Sequence, residues 1–221
     1  MVQAVCFDLD GVLVHTMPLH VRAWQAAARL LRIRVSSQAI YAWEGEPGLV
    51  TARRLIARRG LKPAAARTLL QEKERWFSRL VLRVRPDARV LAVMARLRAR
   101  GVRLALVTGT SSCEVRRFLP TRTRALFDVV VTGDRVRHGK PHPEPYRRAM
   151  ARLRVPPRRT VVVENAPYGI RSARRAGAGW VLAVATSLPP RFLREAHETL
   201  PSVPALCARL DRLVDKPRPA P

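Results

Sequence analysis

Residues 4–13 of the chain read Ala4-Val5-Cys6-Phe7-Asp8-Leu9-Asp10-Gly11-Val12-Leu13. The apolar run predicts a buried strand, which we place at residues 4–9. Alternate residues of a strand point to the same side, so Asp8 and Asp10 should project together from its carboxyl end. Two carboxylates this close repel each other unless a cation or a shared proton offsets the charge. The pair therefore predicts a Mg²⁺ site at the tip of a buried strand, in preference to a purely structural turn.

The second half of the chain alternates between apolar runs typical of strands and amphipathic stretches typical of helices. Such alternation is the pattern of parallel β-α-β units. We therefore predict an α/β fold with a doubly wound parallel sheet, to which the strand at residues 4–9 belongs. The other predicted strands lie at residues 102–107, 129–131, 161–163 and 180–184, with helices near residues 87–100, 112–119, 143–153 and 167–176.

Between Leu13 and Pro86 the apolar periodicity is helical instead. Apolar residues recur at three- and four-residue steps in several stretches, and a breaker-rich loop interrupts them at residues 44–48. This predicts an inserted α-helical cap domain at residues 14–85, with a core domain built from residues 1–13 and 86–215. The cap helices are placed near residues 17–32, 49–59 and 63–83, and the proline-rich tail at residues 216–221 is expected to be disordered.

The chain is strongly basic. It has 221 residues, with 42 Lys and Arg against 16 Asp and Glu, and a formal net charge of +26. No zinc finger, homeodomain-like signature or aromatic-plus-basic pattern accompanies this charge, so no specific nucleic-acid partner is expected. We interpret it as a solvated basic surface that attracts anionic substrates. The arginine pairs typical of this surface are Arg53/Arg54, Arg58/Arg59, Arg116/Arg117, Arg147/Arg148 and Arg174/Arg175.

Other classes are excluded by what the sequence lacks. No apolar stretch has the length of a membrane span, so no membrane partner is expected. The three cysteines are too few and too scattered for a disulfide framework or a zinc site. The first apolar segment carries two aspartates and lacks a basic leader, which is not typical of a signal peptide. We expect a cytoplasmic monomer.

Polar residues follow three further predicted strands. Thr108-Gly109-Thr110 supplies a hydroxyl group and a glycine at which backbone N–H groups can approach an anion. Gly139-Lys140-Pro141-His142-Pro143 holds one of the four lysines in a rigid turn, and Glu164-Asn165 offers oxygen atoms suited to a metal. Taken singly, these motifs also have ordinary explanations as strand-end caps or as a solvent-facing lysine.

Together, the acid pair, the hydroxyl, the lysine and the acid with its amide resemble the haloacid dehalogenase superfamily. The resemblance is to its phosphatase and phosphomutase branch, which carries a helical cap after the first strand, and it covers residues 4–186. Each motif is modest alone, but four in this order and at fitting spacing are specific. They are Phe7-Asp8-Leu9-Asp10-Gly11-Val12-Leu13, Val107-Thr108-Gly109-Thr110, Gly139-Lys140-Pro141-His142-Pro143 and Val163-Glu164-Asn165-Ala166-Pro167-Tyr168-Gly169-Ile170.

The resemblance implies phosphoryl transfer, with roles that carry over residue by residue. Asp8 is implied to be the nucleophile that forms an aspartyl-phosphate. Asp10 is implied to protonate the leaving oxygen and then to accept a proton from the attacking water. Thr108, the backbone at Gly109 and Lys140 are implied to hold the phosphoryl oxygens. The implied Mg²⁺ ligands are Asp8, the backbone carbonyl of Asp10, Glu164 and Asn165.

Two positions depart from the family pattern. Asn165 stands where many relatives carry a second acid, and His15 stands where an acid often follows the first motif. An amide oxygen can serve as a Mg²⁺ ligand, and Asp8 and Glu164 still supply charge. We therefore expect weaker metal binding and retained activity.

The cap distinguishes hydrolysis from phosphomutase chemistry. Similar sugar-phosphate mutases place an arginine after the loop glycine to hold a second phosphate, whereas this loop carries Glu44 and Glu46. Arg53 or Arg54 could substitute, but both begin a predicted helix. We expect a Mg²⁺-dependent phosphohydrolase of a small phosphate monoester, either a sugar phosphate or a phosphoglycolate-like compound. A β-phosphoglucomutase-like enzyme is the alternative. The candidate substrate contacts from the cap are His20, Trp24, Glu44 and Glu46.

Three other classes fit the residues less well. Dehalogenase chemistry does not use the second acid at Asp10. Phosphonate-cleaving relatives depend on a cap lysine, and the candidates Lys62 and Lys73 lie past the cap loop. A non-catalytic nucleic-acid-binding protein with the same fold is the remote alternative, and its support is net charge alone.

Overall fold

The computed structural model describes residues 1–81 and 84–214 and contains a six-stranded, fully parallel sheet. The strand order is β3-β2-β1-β4-β5-β6, so the first strand lies at the centre and the order reverses between β1 and β4. This arrangement confirms the predicted doubly wound sheet. The strands are β1 (Ala4–Phe7), β2 (Arg103–Val107), β3 (Val129–Val131), β4 (Thr160–Glu164), β5 (Trp180–Val184) and β6 (Glu198–Leu200).

Ten α-helices are found in the described residues, four of them between β1 and β2 ahead of Pro86. These four are α1 (Met17–Leu30), α2 (Ser37–Ala42), α3 (Gly48–Ala57) and α4 (Ala65–Leu80). The other six are α5 (Ala88–Ala99), α6 (Ser112–Phe118), α7 (Thr121–Arg124), α8 (Glu144–Leu153), α9 (Pro167–Arg175) and α10 (Val203–Val214).

The central strand β1 is buried on both faces because its side chains alternate between two apolar clusters. Val5 and Phe7 pack in a cluster with residues of α5 and α10, whereas Ala4 and Cys6 pack in a cluster with residues of α8 and α9. All four side chains are fully buried. Helices therefore cover both faces of the sheet, as a parallel sheet requires.

The cap helices have an apolar cluster of their own. Trp24 of α1, Leu55 of α3 and Leu69 of α4 are buried together there. The chain leaves the sheet and returns to it at adjacent points, since the backbone N–H of Asp87 donates to the Leu13 carbonyl at 2.9 Å. Asp87 also caps α5 by accepting the backbone N–H of Arg89 at 2.9 Å. The two crossings between cap and core therefore lie side by side.

The predicted first strand is too long by two residues. β1 ends at Phe7 because the next segment turns away from the sheet: the Leu9 carbonyl accepts the N–H groups of residues 12, 13 and 14. Gly11 allows this turn because its φ of +84° lies in the left-handed region. Asp8 and Asp10 thus lie in the turn that follows the strand.

Four elements of the structure were not predicted from the sequence: the short elements α2, α7 and β6, and the 12-residue helix α10. The predicted tail at residues 216–221 lies outside the described residues. Within residues 1–81 and 84–214, no helix has the length and apolarity needed to cross a membrane. The ten arginines of the five pairs named above are all exposed, in agreement with their predicted solvation.

Candidate active site

Asp8 and Asp10 lie at the carboxyl end of the central strand. The backbone N–H of Asp8 donates to the Val163 carbonyl at 3.0 Å, which extends the pairing of β1 with β4 by one residue. This is the point at which the strand order reverses, where open α/β sheets bind their ligands. Both aspartates line a cavity of about 310 Å³, together with Thr108 and Gly109 from the end of β2.

Lys140 joins the ends of three strands. Its Nζ lies 2.5 Å from Asp8 Oδ1 and 2.5 Å from Glu164 Oε1, and it donates to the Val107 carbonyl at 3.1 Å. The residue is only 2% exposed, unlike the solvent-facing lysine that such a loop would suggest in isolation. Burial alone lowers the pKa of Lys140, but the charges of Asp8 and Glu164 raise it above its usual value. Lys140 is therefore a fixed cation within the site.

The acids of the site outnumber the basic groups that bond to them. Burial raises the pKa of Asp8, Lys140 opposes that rise, and Glu164 and Asp10 add to it. Burial also raises the pKa of Glu44 well above its usual value, and the charges of Asp8, Asp10 and Glu164 add to that rise. In the described part of the chain, Lys140 and His20 are the basic side chains that bond to these four acids. The site thus has a surplus of negative charge that a cation would offset.

Asp10 is held by three polar side chains. Its Oδ1 accepts a hydrogen bond from the Thr16 hydroxyl and lies 3.1 Å from His20 Nε2, and its Oδ2 accepts the Thr110 hydroxyl at 2.8 Å. Burial alone raises the pKa of Asp10, but His20 and the two hydroxyl groups lower it below its usual range. The carboxylate is therefore fixed in orientation at the cavity wall.

Glu164 is the last residue of β4 and Asn165 follows it; the side-chain oxygens of Glu164 both have hydrogen-bond partners, whereas within the described chain that of Asn165 has none. Glu164 Oε1 accepts from Lys140 and, at 2.5 Å, from the Tyr146 hydroxyl, while Oε2 accepts the backbone N–H of Asn165 at 3.1 Å. Asn165 is fully buried, yet its Oδ1 has no hydrogen-bond partner among the described residues.

A close approach to the first turn places the Asn165 amide beside the acid pair. A Cβ atom at Gly11 would lie only 2.0 Å from Asn165 Nδ2, so the lack of a side chain at Gly11 makes room for this amide. Carboxylate and amide oxygens beside surplus negative charge are the donor set that Mg²⁺ prefers. The residues present therefore fit a bound divalent cation.

The loop between α2 and α3 closes the cavity from the cap side. Glu44 is 5% exposed, and its Oε1 accepts a hydrogen bond from Asn165 Nδ2 across the cap–core boundary. A Cβ atom at Gly139 would lie 2.2 Å from Cγ of Pro47, so the cap loop also rests on the loop that carries Lys140. These contacts hold the cap loop against the core at the edge of the cavity.

The other predicted cap residues line the same cavity. His20 stacks on Phe77 with ring centroids 3.9 Å apart, and Trp24 is 5% exposed. Glu46 accepts hydrogen bonds from the Thr51 hydroxyl at 2.9 Å and from Arg54 at 2.7 Å. The structure thus brings His20, Trp24, Glu44 and Glu46 to one cavity with the acid pair.

Several residues that sequence reasoning missed also belong to this site. Thr16, Thr110 and Tyr146 bond to the predicted acids. Lys73 lines the cavity as well, where its Nζ lies 3.4 Å from Glu114 Oε1. Thr110 lies within one of the recognised motifs and Thr16 lies close to another. Nothing in the sequence around Lys73 or Tyr146 indicates that they belong to the site.

Comparison with known proteins identifies the class to which this chain belongs. A family model described as haloacid dehalogenase-like hydrolase matches residues 2–177, which is well over half of the chain. The chain therefore belongs to the haloacid dehalogenase-like hydrolases. The predicted family, and with it the prediction of an enzyme of the phosphatase class, is confirmed.

Three proteins illustrate the similarity. The phosphorylated carbohydrates phosphatase of Thermotoga maritima is 34% identical over 195 residues, covering 84% of this chain and 87% of that protein. The fructose-1-phosphate phosphatase YqaB of Escherichia coli is 31% identical over 174 residues, covering 77% and 90%. The crystal structure of CbbY from Rhodobacter sphaeroides in complex with phosphate has a TM-score of 0.76 at 29% identity, covering 96% of this chain and all of that one.

Proposed function

We propose that this protein is a Mg²⁺-dependent phosphatase that hydrolyses a small sugar phosphate through an aspartyl-phosphate at Asp8. The observation that carries the proposal is the position of Asp8: its carboxylate lies at the carboxyl end of the central strand, bonded to Lys140 and facing a cavity closed by the cap. Phosphoryl transfer depends mainly on positioning and on stabilising spread charge, and these residues supply both.

Asp8 attacks the phosphorus atom of the substrate, forming a bond from its carboxylate oxygen while the bond to the sugar oxygen breaks. Lys140 fixes Asp8 and offsets the negative charge gathered there. Thr108 and the Gly109 backbone, which line the cavity beside Asp8, hold the phosphoryl oxygens. A bound Mg²⁺ would be held by Asp8, the Asp10 carbonyl, Glu164 and Asn165, and it supplies positive charge to the transferred phosphoryl group.

Asp10 acts as the general acid and then as the general base. It protonates the leaving sugar oxygen in the first step and takes a proton from the water that hydrolyses the aspartyl-phosphate in the second. Because its neighbours lower the pKa of Asp10, the carboxylate must receive this proton before it can donate it, and His20 Nε2, 3.1 Å from Asp10 Oδ1, is close enough to deliver it as the substrate reacts. The hydroxyl groups of Thr16 and Thr110 keep the carboxyl group aligned during both steps.

Replacement of Asp10 tests its assignment as the group that transfers the proton. We expect Asp10→Asn to lower phosphate release from an alkyl phosphate such as a sugar phosphate by about a hundredfold to ten-thousandfold. The first step with p-nitrophenyl phosphate, which releases p-nitrophenolate, should slow much less, because this leaving group needs no protonation. Single-turnover rates for both substrates measure the difference, and an equal loss for both would contradict the role of Asp10 as an acid.

The substrate class is supported by the relatives, two of which are named for phosphorylated carbohydrates or fructose 1-phosphate. The cavity walls near the cap also carry Glu44, Glu46 and Glu74, which favour an uncharged, hydroxyl-bearing leaving group over an anionic one. A panel of sugar phosphates, hexitol phosphates and phosphoglycolate, assayed with Mg²⁺, tests this. Faster release from phosphoglycolate than from every sugar phosphate would contradict it.

A β-phosphoglucomutase-like activity is the second candidate because Lys73 places a cation inside the cavity, where it could hold a second phosphate. Against it, Lys73 pairs with Glu114, and Arg54 pairs with Glu46. Adding β-glucose 1-phosphate with glucose 1,6-bisphosphate separates the two activities. Glucose 6-phosphate formed faster than free phosphate would identify a mutase.

The neutral amide of Asn165 leads to a prediction about metal affinity. We expect Asn165→Asp to tighten Mg²⁺ binding by about tenfold, because a carboxylate is a stronger ligand than an amide for a hard cation. Isothermal titration of the metal-free protein with Mg²⁺ measures the change. Unchanged or weaker affinity would remove Asn165 from the metal site.

Other expectations from the sequence remain predictions: a cytoplasmic location, a monomeric state and the lack of a specific nucleic-acid partner. The remote alternative of a non-catalytic nucleic-acid-binding protein is tested by the same substrate panel. Phosphate release that is equal for the wild-type protein and Asp8→Asn would favour it over an enzyme.

A further inference from the structure

Glu44 is a cap residue that is buried against the core. Its Oε1 bonds to Asn165 Nδ2 and lies 3.5 Å from the Ser187 hydroxyl, so the cap loop meets two core loops at this side chain. The contact joins residues 121 positions apart in the chain. The carboxylate thus bonds directly to Asn165, one of the residues that we place at the metal.

Two oxygens at this contact have no hydrogen-bond partner among the described residues: Glu44 Oε2 and Asn165 Oδ1. Both side chains are more than nine-tenths buried. A buried acceptor without a partner is costly, at about 1–3 kcal/mol. Both oxygens are acceptors of the kind that bind a divalent cation, and they belong to two side chains that are hydrogen-bonded to each other.

The charges lead to the same conclusion. Asn165 is neutral, whereas Glu44 brings an additional carboxylate into a site that already holds Asp8, Asp10 and Glu164. No basic side chain in the described part of the chain forms a salt bridge with Glu44. A carboxylate is expensive to bury without a counter-charge, and a cation bound beside Glu44 would remove that cost.

We propose that Glu44 supplies the Mg²⁺ site with the carboxylate charge that the neutral amide of Asn165 lacks, so that metal binding and closure of the cap loop stabilise each other. The proposal rests on the proposed function, in that the cation is the one used for phosphoryl transfer. Because linkage is reciprocal, a closed cap raises metal affinity and bound metal holds the cap closed.

The test measures metal binding alone, on the full chain without substrate. Mn²⁺ serves as the probe, and free Mn²⁺ is followed by electron paramagnetic resonance. We expect Glu44→Gln, which keeps the size of the side chain, to weaken Mn²⁺ binding by about tenfold to a hundredfold. Glu44→Ala should weaken it at least as much. Glu72→Gln is the matched control, because Glu72 lies on the cap helix α4 and pairs with Arg75 outside the cavity, and it should bind Mn²⁺ as the wild type does.

A double variant distinguishes a charge at the metal from a structural role. Asn165→Asp should tighten Mn²⁺ binding by more in the Glu44→Gln protein than the roughly tenfold gain expected in the wild-type protein, because it then replaces the carboxylate that Glu44 no longer supplies. Wild-type affinity in both Glu44→Gln and Glu44→Ala overturns the proposal, as does an equal gain from Asn165→Asp in the two backgrounds. Failure of the proposed function would be seen separately, as a lack of Asp8-dependent phosphate release by the wild-type protein with Mg²⁺.

Discussion

The variant Asp8→Asn should lose steady-state phosphate release by at least about a thousandfold, the largest loss of activity expected from any single change in this protein. The amide of asparagine is a poor nucleophile, and it cannot form the mixed anhydride that a carboxylate forms with a phosphoryl group. The remaining residues would still bind substrate, so the loss should appear in kcat far more than in KM. Release of inorganic phosphate from the best sugar phosphate of the panel measures it.

This loss can be separated from a loss of structure. Asp8 is one of four crowded carboxylates, so its replacement by a neutral side chain should not lower the thermal stability of the protein. Asp211→Asn is the matched control, because Asp211 lies on α10, where it pairs with Arg96 far from the cavity. The control should retain wild-type phosphate release. Equal activities of Asp8→Asn and the wild type would contradict the proposed nucleophile.

The variant Lys140→Met should produce the largest loss of stability. Lys140 is 2% exposed and is the ion-pair partner of Asp8 and of Glu164, each at 2.5 Å. Its removal leaves two buried carboxylates without a counter-charge, which costs about 3–5 kcal/mol in the free energy of unfolding. Urea unfolding of the metal-free protein at neutral pH measures this loss.

Lys62→Met provides the matched control for the same change of charge. Lys62 is exposed in the loop before α4, so its variant should unfold within about 0.5 kcal/mol of the wild type. A small effect at Lys140, comparable to that at Lys62, would show that the ion pairs with Asp8 and Glu164 are not needed to hold the site together.

The parts of the fold and site that depend on local pattern could be predicted from the sequence. Apolar runs followed by polar residues mark the strands, and parallel strands bring their carboxyl ends to one edge. This is why Asp8, Thr108 and Glu164 could be assigned to one edge of the sheet from motifs up to about 150 residues apart, whereas Lys140 was assigned to the site through the family resemblance. The extent of the first strand was less predictable, because the turn at Gly11 follows it directly.

Three of the four elements that were missed have weak local signals, and the fourth, α10, does not. β6 is a three-residue edge strand with the sequence Glu198-Thr199-Leu200, and it lacks an apolar run because only one neighbouring strand pairs with it. α2 and α7 are too short to show a helical period. α10 does carry the period, since Val203, Leu206 and Leu210 are buried at three- and four-residue steps, and this signal could have identified it.

The contacts between cap and core were beyond sequence reasoning. Glu44 and Asn165 meet only because the cap loop folds over the carboxyl end of β4, and no spacing in the chain encodes that meeting. The same holds for Lys73, which the sequence places past the cap loop and the structure places inside the cavity with Glu114. The proposed metal site depends on the first of these contacts, and neither can be read from the sequence.

The most direct measurement is to trap the phosphorylated residue. The wild-type protein is mixed with a sugar phosphate and Mg²⁺, quenched in acid during turnover, and treated with borohydride, which reduces an acyl phosphate to an alcohol. Mass spectrometry of the peptide around residue 8 then reads the product. We expect Asp8 to be converted to homoserine, only when substrate is present and not in a sample quenched before substrate is added. Steady phosphate release with an unmodified Asp8, or with the modification on another carboxylate, would contradict the aspartyl-phosphate at Asp8.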